Sequence, residues 1–286
     1  MKKKLSLLEQ LQYTTARIEG ENKDGHTITG TGFFFKLLDN SSTGEFFPVM
    51  ITNRHVVESI VKGRFYITLA NTEGDPDDAS RYGFEITNFN DAWTYHPNSN
   101  IDLCAIPIAP YLNYVVSLGK TPFYRTFENE YLPTQEQLEE LDAIEDIIMI
   151  GYPNGIWDNV NNQPIIRRGI TATHPNKNYM GRKEFMADIA AFPGSSGSPI
   201  LICNSGSYSD KRGNTYFGQS RLLLLGVLRA GPQHITTGEI AVVPASTSNK
   251  PISIHGIPNN LGIVIKAEMI MDFERVFEEQ LKELRK

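Results

Sequence analysis

Short apolar runs, each cut off by Gly, Pro, Asn or Asp, recur along most of this chain. Runs of that length and spacing are the pattern of β-strands, and they leave little room for long helices. Residues 13–19, 27–38, 46–52, 64–69, 84–89 and 101–106 form a first set. Residues 147–151, 163–173, 184–189, 198–203, 222–228 and 261–265 form a second. Asn22-Lys23-Asp24-Gly25 reads as a hairpin turn, and Gly30 and Gly32 as a bulge or a close backbone approach. A helical turn is expected over 56–61, behind His55. Each set predicts one six-stranded antiparallel barrel, spanning 13–109 and 147–267.

The flanking segments differ. Residues 110–146 are punctuated by Pro110, Pro122 and Pro133, carry an acidic helical stretch over 135–146, and read as the connection between barrels. Leu5, Leu8 and Leu11 share one helical face, which predicts a short helix within 1–12. Phe273, Val276, Phe277 and Leu281 predict a longer helix within 268–286, packed on the second barrel. The polar stretches 72–81, 204–220 and 232–260 are expected to be loops. The last is long enough for a structureless connection to suggest a functional role.

Composition narrows the class. A net charge of −6 gives no surface for nucleic acid. Glu9 and Gln10 interrupt the apolar start, and no run is long enough to span a membrane. The two cysteines, Cys104 and Cys203, sit in apolar runs and are expected as free thiols. The expectation is a cytoplasmic protein that needs no metal and no organic cofactor. The Asp-rich stretch 72–81 lacks the alternating ligand pattern of a calcium loop.

The chemistry concentrates in Phe192-Pro193-Gly194-Ser195-Ser196-Gly197-Ser198-Pro199-Ile200. Glycines around a serine permit a sharp bend that exposes a hydroxyl and aims N–H groups at one point. Read alone, the segment is better taken as a plain Gly/Ser turn between two strands, and Ser195, Ser196 and Ser198 are rival nucleophiles. Upstream, Val49-Met50-Ile51-Thr52-Asn53-Arg54-His55-Val56-Val57 ends in a histidine, the side chain suited to a general base near neutral pH. Asn100-Ile101-Asp102-Leu103-Cys104-Ala105-Ile106 places an aspartate at the start of another strand.

These segments, with Thr29-Gly30-Thr31-Gly32-Phe33-Phe34-Phe35 and the weaker Leu225-Gly226-Val227-Leu228-Arg229-Ala230-Gly231, resemble the trypsin/chymotrypsin-like serine peptidases. The likeness is greatest to their bacterial branch, which includes the HtrA-type proteases, though no appended peptide-binding domain is legible. The resemblance implies an all-β, chymotrypsin-like fold of two Greek-key barrels and hydrolysis of protein or peptide substrates through an acyl-enzyme. It assigns His55, Asp102 and Ser196 as the triad and the N–H groups of Gly194 and Ser196 as the oxyanion hole. It places Ala190 at the floor of the primary pocket, with Asp188 nearby, and Arg229, Ala230 and Gly231 at the edge that pairs with substrate. Arg229 there would either favour an acidic substrate group or pair with a local carboxylate. Ser195 replaces the family's aspartate, so activation by a newly cut N-terminus is not expected. Control is expected from a regulatory partner protein or from the long loop. A catalytically silent binding module and an ester hydrolase are the alternatives.

Overall fold

The structure is a computed structural model, and it describes residues 5–40, 42–231, 233–236, 255–258 and 260–284. The centre of the expected 232–260 loop, residues 237–254, lies outside the described residues, as do residues 1–4, 285 and 286. The flanks of that loop pair as a ribbon, Gln233–Thr236 with His255–Pro258.

Both apolar sets become antiparallel sheets, but only the second closes. Its six strands are Asp146–Gly151, Ile165–Thr171, Glu184–Asp188, Pro199–Asn204, Arg221–Ala230 and Leu261–Lys266, hydrogen-bonded into a closed barrel. The first half is an eight-stranded sheet with two open ends. Its path runs through Pro76–Thr87, Ile60–Ala70, Thr15–Asn22, Thr27–Asn40, Glu45–Thr52, Cys104–Pro107 and Thr94–Tyr95, while Pro122–Phe123 pairs with Ile60–Ala70. The two-residue strand Thr94–Tyr95 is cut short before Pro97, which has no N–H to continue a ladder.

Three local expectations are corrected. The polar stretch 72–81 is not all loop: Gly74 turns the chain at φ +84° and Pro76–Thr87 then pairs along Ile60–Ala70. Residues 204–220 contain a hairpin, Ser207–Ser209 with Thr215–Phe217, whose Tyr208 and Tyr216 stack at 4.9 Å. A helix, Ala109–Ser117, begins where Pro110 suggested a break. Proline is tolerated in a first turn because its missing N–H would have no partner there.

Three clusters of buried side chains fill the molecule. One lies within the first sheet and one within the closed barrel. The third sits at the seam, where Phe33, Phe35 and Ile51 meet Ile150, Leu201 and Val227. The helix Asp272–Leu284 joins this seam cluster through Phe273 and Phe277. Contrary to expectation, it docks on the first half. Phe277 packs on Phe47 with ring centroids 5.0 Å apart, His96 meets Phe273 edge-on at 5.4 Å, and the Leu38 N–H donates to Glu274 Oε1 at 2.8 Å. Phe277→Ala is expected to lower stability by about 3 kcal/mol, read as a shifted urea midpoint. Glu279→Ala on the exposed face of the same helix is expected to stay within about 0.5 kcal/mol of the parent.

Candidate active site

Register brings the histidine and the aspartate together. Thr52 pairs with Cys104 across neighbouring strands, so the residues just beyond Thr52 and just before Cys104 share one sheet end. Asn53 starts the helical turn Arg54–Val57, and its Nδ2 donates to the Asp102 carbonyl at 2.9 Å. The His55 N–H donates to Asp102 Oδ1 at 3.0 Å, and the ring Nδ1 lies 2.6 Å from Oδ2. This two-point grip fixes the imidazole plane. With Nδ1–H turned to the carboxylate, Nε2 is left as the basic nitrogen. The His55 side chain is 43% exposed against 19% for Asp102, so the ring opens to solvent while the carboxylate is sheltered.

Ser196 is half-buried, and its hydroxyl donates to the Arg229 carbonyl at 3.1 Å. No hydrogen bond joins it to His55 among the described residues. Arg229 connects the two places, because its Nε lies 3.7 Å from Asp102 Oδ2. Its Nη1 donates to Glu184 Oε1 at 2.9 Å, so the guanidinium is committed to local carboxylates. Of the two expectations for Arg229, that is the one the structure holds. Ala230 continues the barrel strand opposite Ile263. Gly231 is packed so that a Cβ would come within 2.8 Å of the Leu261 carbonyl. The Ala190 carbonyl accepts from Arg167 Nη1, and Asp188 is exposed at the end of its strand. The rivals of Ser196 are enclosed: Ser195 and Ser198 are both fully buried.

The turn before Ser196 explains its proline and glycine. The Ser195 N–H donates to the Phe192 carbonyl at 3.0 Å, and Gly194 has φ +83°. Pro at the second position and Gly at the third are the residues a type II turn requires. The Pro193 carbonyl accepts from the Asn154 N–H at 2.5 Å. In a planar trans peptide the following N–H points the opposite way, so that of Gly194 is turned from Asn154. Neither the Gly194 nor the Ser196 N–H has an acceptor among the described residues. A Cβ on Gly194 would come within 2.5 Å of the Tyr152 carbonyl, so the turn is held against the 152–155 backbone.

Sequence reasoning gave no role to Thr31, which lies in the Thr29–Phe35 motif. It is fully buried and bonds in four directions. Its N–H donates to the Ser196 carbonyl at 2.9 Å and its hydroxyl to the Gly194 carbonyl at 3.0 Å. The Tyr152 N–H donates to Thr31 Oγ1 at 3.1 Å, and Thr52 Oγ1 to the Thr31 carbonyl at 2.6 Å. The signal available was a polar residue between two glycines in an apolar strand. Those glycines admit Val56 and Met50, which a Cβ at Gly30 or Gly32 would strike.

A family model of the trypsin-like peptidase domain matches residues 30–207, more than half of the chain. No curated protein matches it. Among solved structures, the HtrA-type protease AlgW with a tripeptide is similar at 14% identity and TM-score 0.45, over 92% of this chain and 59% of that one. The chain thus spans about three-fifths of that relative's length. The Rv3671c protease of M. tuberculosis in its active form is similar at 16% identity and TM-score 0.43, over 91% and 78% of the two chains. A catalytically inactive tobacco etch virus protease complexed with substrate gives 13% identity and TM-score 0.47, over 94% and 84%. The family match runs from the strand that carries Thr31 through the serine turn, and on it the chain belongs to the trypsin-like peptidase family.

Proposed function

We propose that the chain is a serine endopeptidase in which Ser196 attacks the peptide carbonyl, His55 moves the proton and Asp102 holds the imidazole. The observation that carries this reading is the two-point grip of Asp102 on His55, with Ser196 tethered to the same place through Arg229. A serine hydroxyl needs a base within hydrogen-bond reach, because it is a weak nucleophile at neutral pH. For that step the Ser196 hydroxyl has to leave the Arg229 carbonyl, an ordinary hydrogen bond worth about 1 kcal/mol, and take up His55 Nε2 instead.

The chemistry then follows in balanced steps. As the Ser196 Oγ–carbon bond forms, the hydroxyl proton passes to His55 Nε2 and the carbonyl oxygen becomes anionic. The free N–H groups of Gly194 and Ser196 receive that charge, each worth about 3 kcal/mol in the transition state. Imidazolium, steadied by Asp102, returns the proton to the departing amine and leaves an acyl-enzyme. Water then attacks the ester with His55 again as base, which releases the acid and restores Ser196. The side of Arg229, Ala230 and Gly231 beyond the Pro199–Val227 pair has no strand partner among the described residues, which supports an edge for an extended substrate. The resting bond to Arg229 supports control by a partner protein or by substrate itself, either of which would reorient Ser196.

A fluorophosphonate probe is expected to label Ser196, and labelling should vanish in His55→Ala and Ser196→Ala. Peptide turnover should fall by about 10⁶-fold in Ser196→Ala, as in comparable triads. Labelling with turnover of short acyl esters but no peptides would make the protein an ester hydrolase. No labelling under any condition would make it a silent binding module. Thr31→Val keeps the shape but unpairs the buried Gly194 carbonyl and Tyr152 N–H, so a loss of about 2 kcal/mol in stability is expected. Its labelling rate should fall further than the stability loss alone accounts for, as measured by stopped time points at a temperature where it remains folded.

A further inference from the structure

Arg167 is a sheltered cation with no counter-charge. It projects inward from the Ile165–Thr171 strand, opposite Met149, and forms no ion pair among the described residues. The neighbouring Arg168 differs, since it faces outward and pairs with Asp146 at 2.7 Å. All the partners of Arg167 are neutral. Nη1 donates to the Ala190 carbonyl, Nη2 donates to Ser195 Oγ at 2.6 Å and lies 3.9 Å from Met149 Sδ, and Nε is buried with no acceptor. Burial alone pulls its pKa down to about 10.

Such an arrangement carries a cost, because a half-buried charge with no counter-ion is partly desolvated and its Nε is left without an acceptor. Packing therefore does not explain an arginine here; the place where it bonds does. Ala190 opens the loop that leads to the nucleophile, and Ser195 closes it one peptide short of Ser196. A guanidinium is a rigid planar fork, so two acceptors bound to its two arms are held at a fixed separation. Between them lie the Phe192–Ser195 turn and the Gly194 N–H. Through its bond to Ser195, the charge also sits one residue from Ser196 and is paired with no carboxylate among the described residues, and a preorganised charge near a developing oxyanion acts without reorganisation cost.

We infer that Arg167 is the positioning residue of the oxyanion-binding loop, tying Ala190 to Ser195 and lending an unneutralised positive charge to the tetrahedral intermediate. The inference rests on the serine-peptidase reading given above. It assigns to an arginine in a neighbouring strand the task of keeping two free N–H groups in register with Ser196.

The test compares wild type, Arg167→Met, Arg167→Lys and Ser195→Ala on one peptide substrate, with active sites counted by fluorophosphonate. Arg167→Met is expected to lose about 100-fold in kcat per labelled site with KM within about threefold, the scale of one lost oxyanion donor. Arg167→Lys should recover part of that loss, and tens of millimolar guanidinium should raise kcat of a further variant, Arg167→Ala, added for that rescue. A purely structural role would instead lower the melting temperature and the labelled fraction, with kcat per labelled site unchanged. If Arg167→Met does not fold, Ser195→Ala removes only the Nη2 acceptor and should lower kcat about tenfold. Variants within twofold of wild type in kcat per site, while Ser196→Ala is dead, would overturn the inference and leave the peptidase reading standing. A wild type that neither labels nor cleaves would remove that reading, and the inference with it.

Discussion

Two hydrogen bonds made by one threonine hold the serine turn to the sheet of the first half, a third reaches Tyr152 of the closed-barrel half, and a fourth ties the threonine to its own sheet. Thr31 uses its N–H, hydroxyl and carbonyl on Ser196, Gly194, Tyr152 and Thr52, and all of these contacts are buried. Buried backbone groups left unpaired are expensive, so the turn has one low-energy position against the first half. The same strand pairs with Glu45–Thr52, whose end presents His55, so both sides of the cleft are referred to a single strand. Geometry across the seam is therefore set by backbone, and the side chains that carry charge inherit it.

The charged groups form a short chain of their own. Glu184 holds Arg229, Arg229 stands beside Asp102, and Asp102 holds His55. Glu184 belongs to the closed barrel and Asp102 to the open sheet, so this chain crosses the seam a second time. The Arg229 carbonyl meanwhile accepts from the Ser196 hydroxyl, so one residue touches both Asp102 and Ser196.

Much of this was legible in the sequence because strand signals are local. Runs such as Ile147-Ile148-Met149-Ile150 read as strands whatever surrounds them, and the order of His55, Asp102 and Ser196 carried the likeness to the peptidases. What was not legible depends on partners far away in the chain. In Ile165–Thr171 the two isoleucines at 166 and 170 face outward, 40% and 37% exposed, while Arg167 faces in. Hydropathy thus assigns that strand the wrong inner face, because the inward arginine is satisfied by a loop more than twenty residues later. The Pro76–Thr87 strand begins in a stretch too acidic to look like one, and pairing with Ile60–Ala70 overrides that composition. Closure of a sheet is likewise a global property. Pro97 marks where the strand Thr94–Tyr95 must stop, but nothing local in residues 94–107 announces that this strand would be the open end of the sheet.

The helix Asp272–Leu284 follows the last strand of the closed barrel yet lays its phenylalanines on Phe47 and beside His96, in the other half. The polypeptide thereby returns across its own midline after both sheets are complete. Each half is anchored to the other by covalent connection at one side and by aromatic packing at the other, so hinging about the 110–146 connection would first have to peel that helix away. The C-terminal helix is in this way a strap across the seam, and the first half would lose the Phe47 and His96 contacts if the two sheets moved apart.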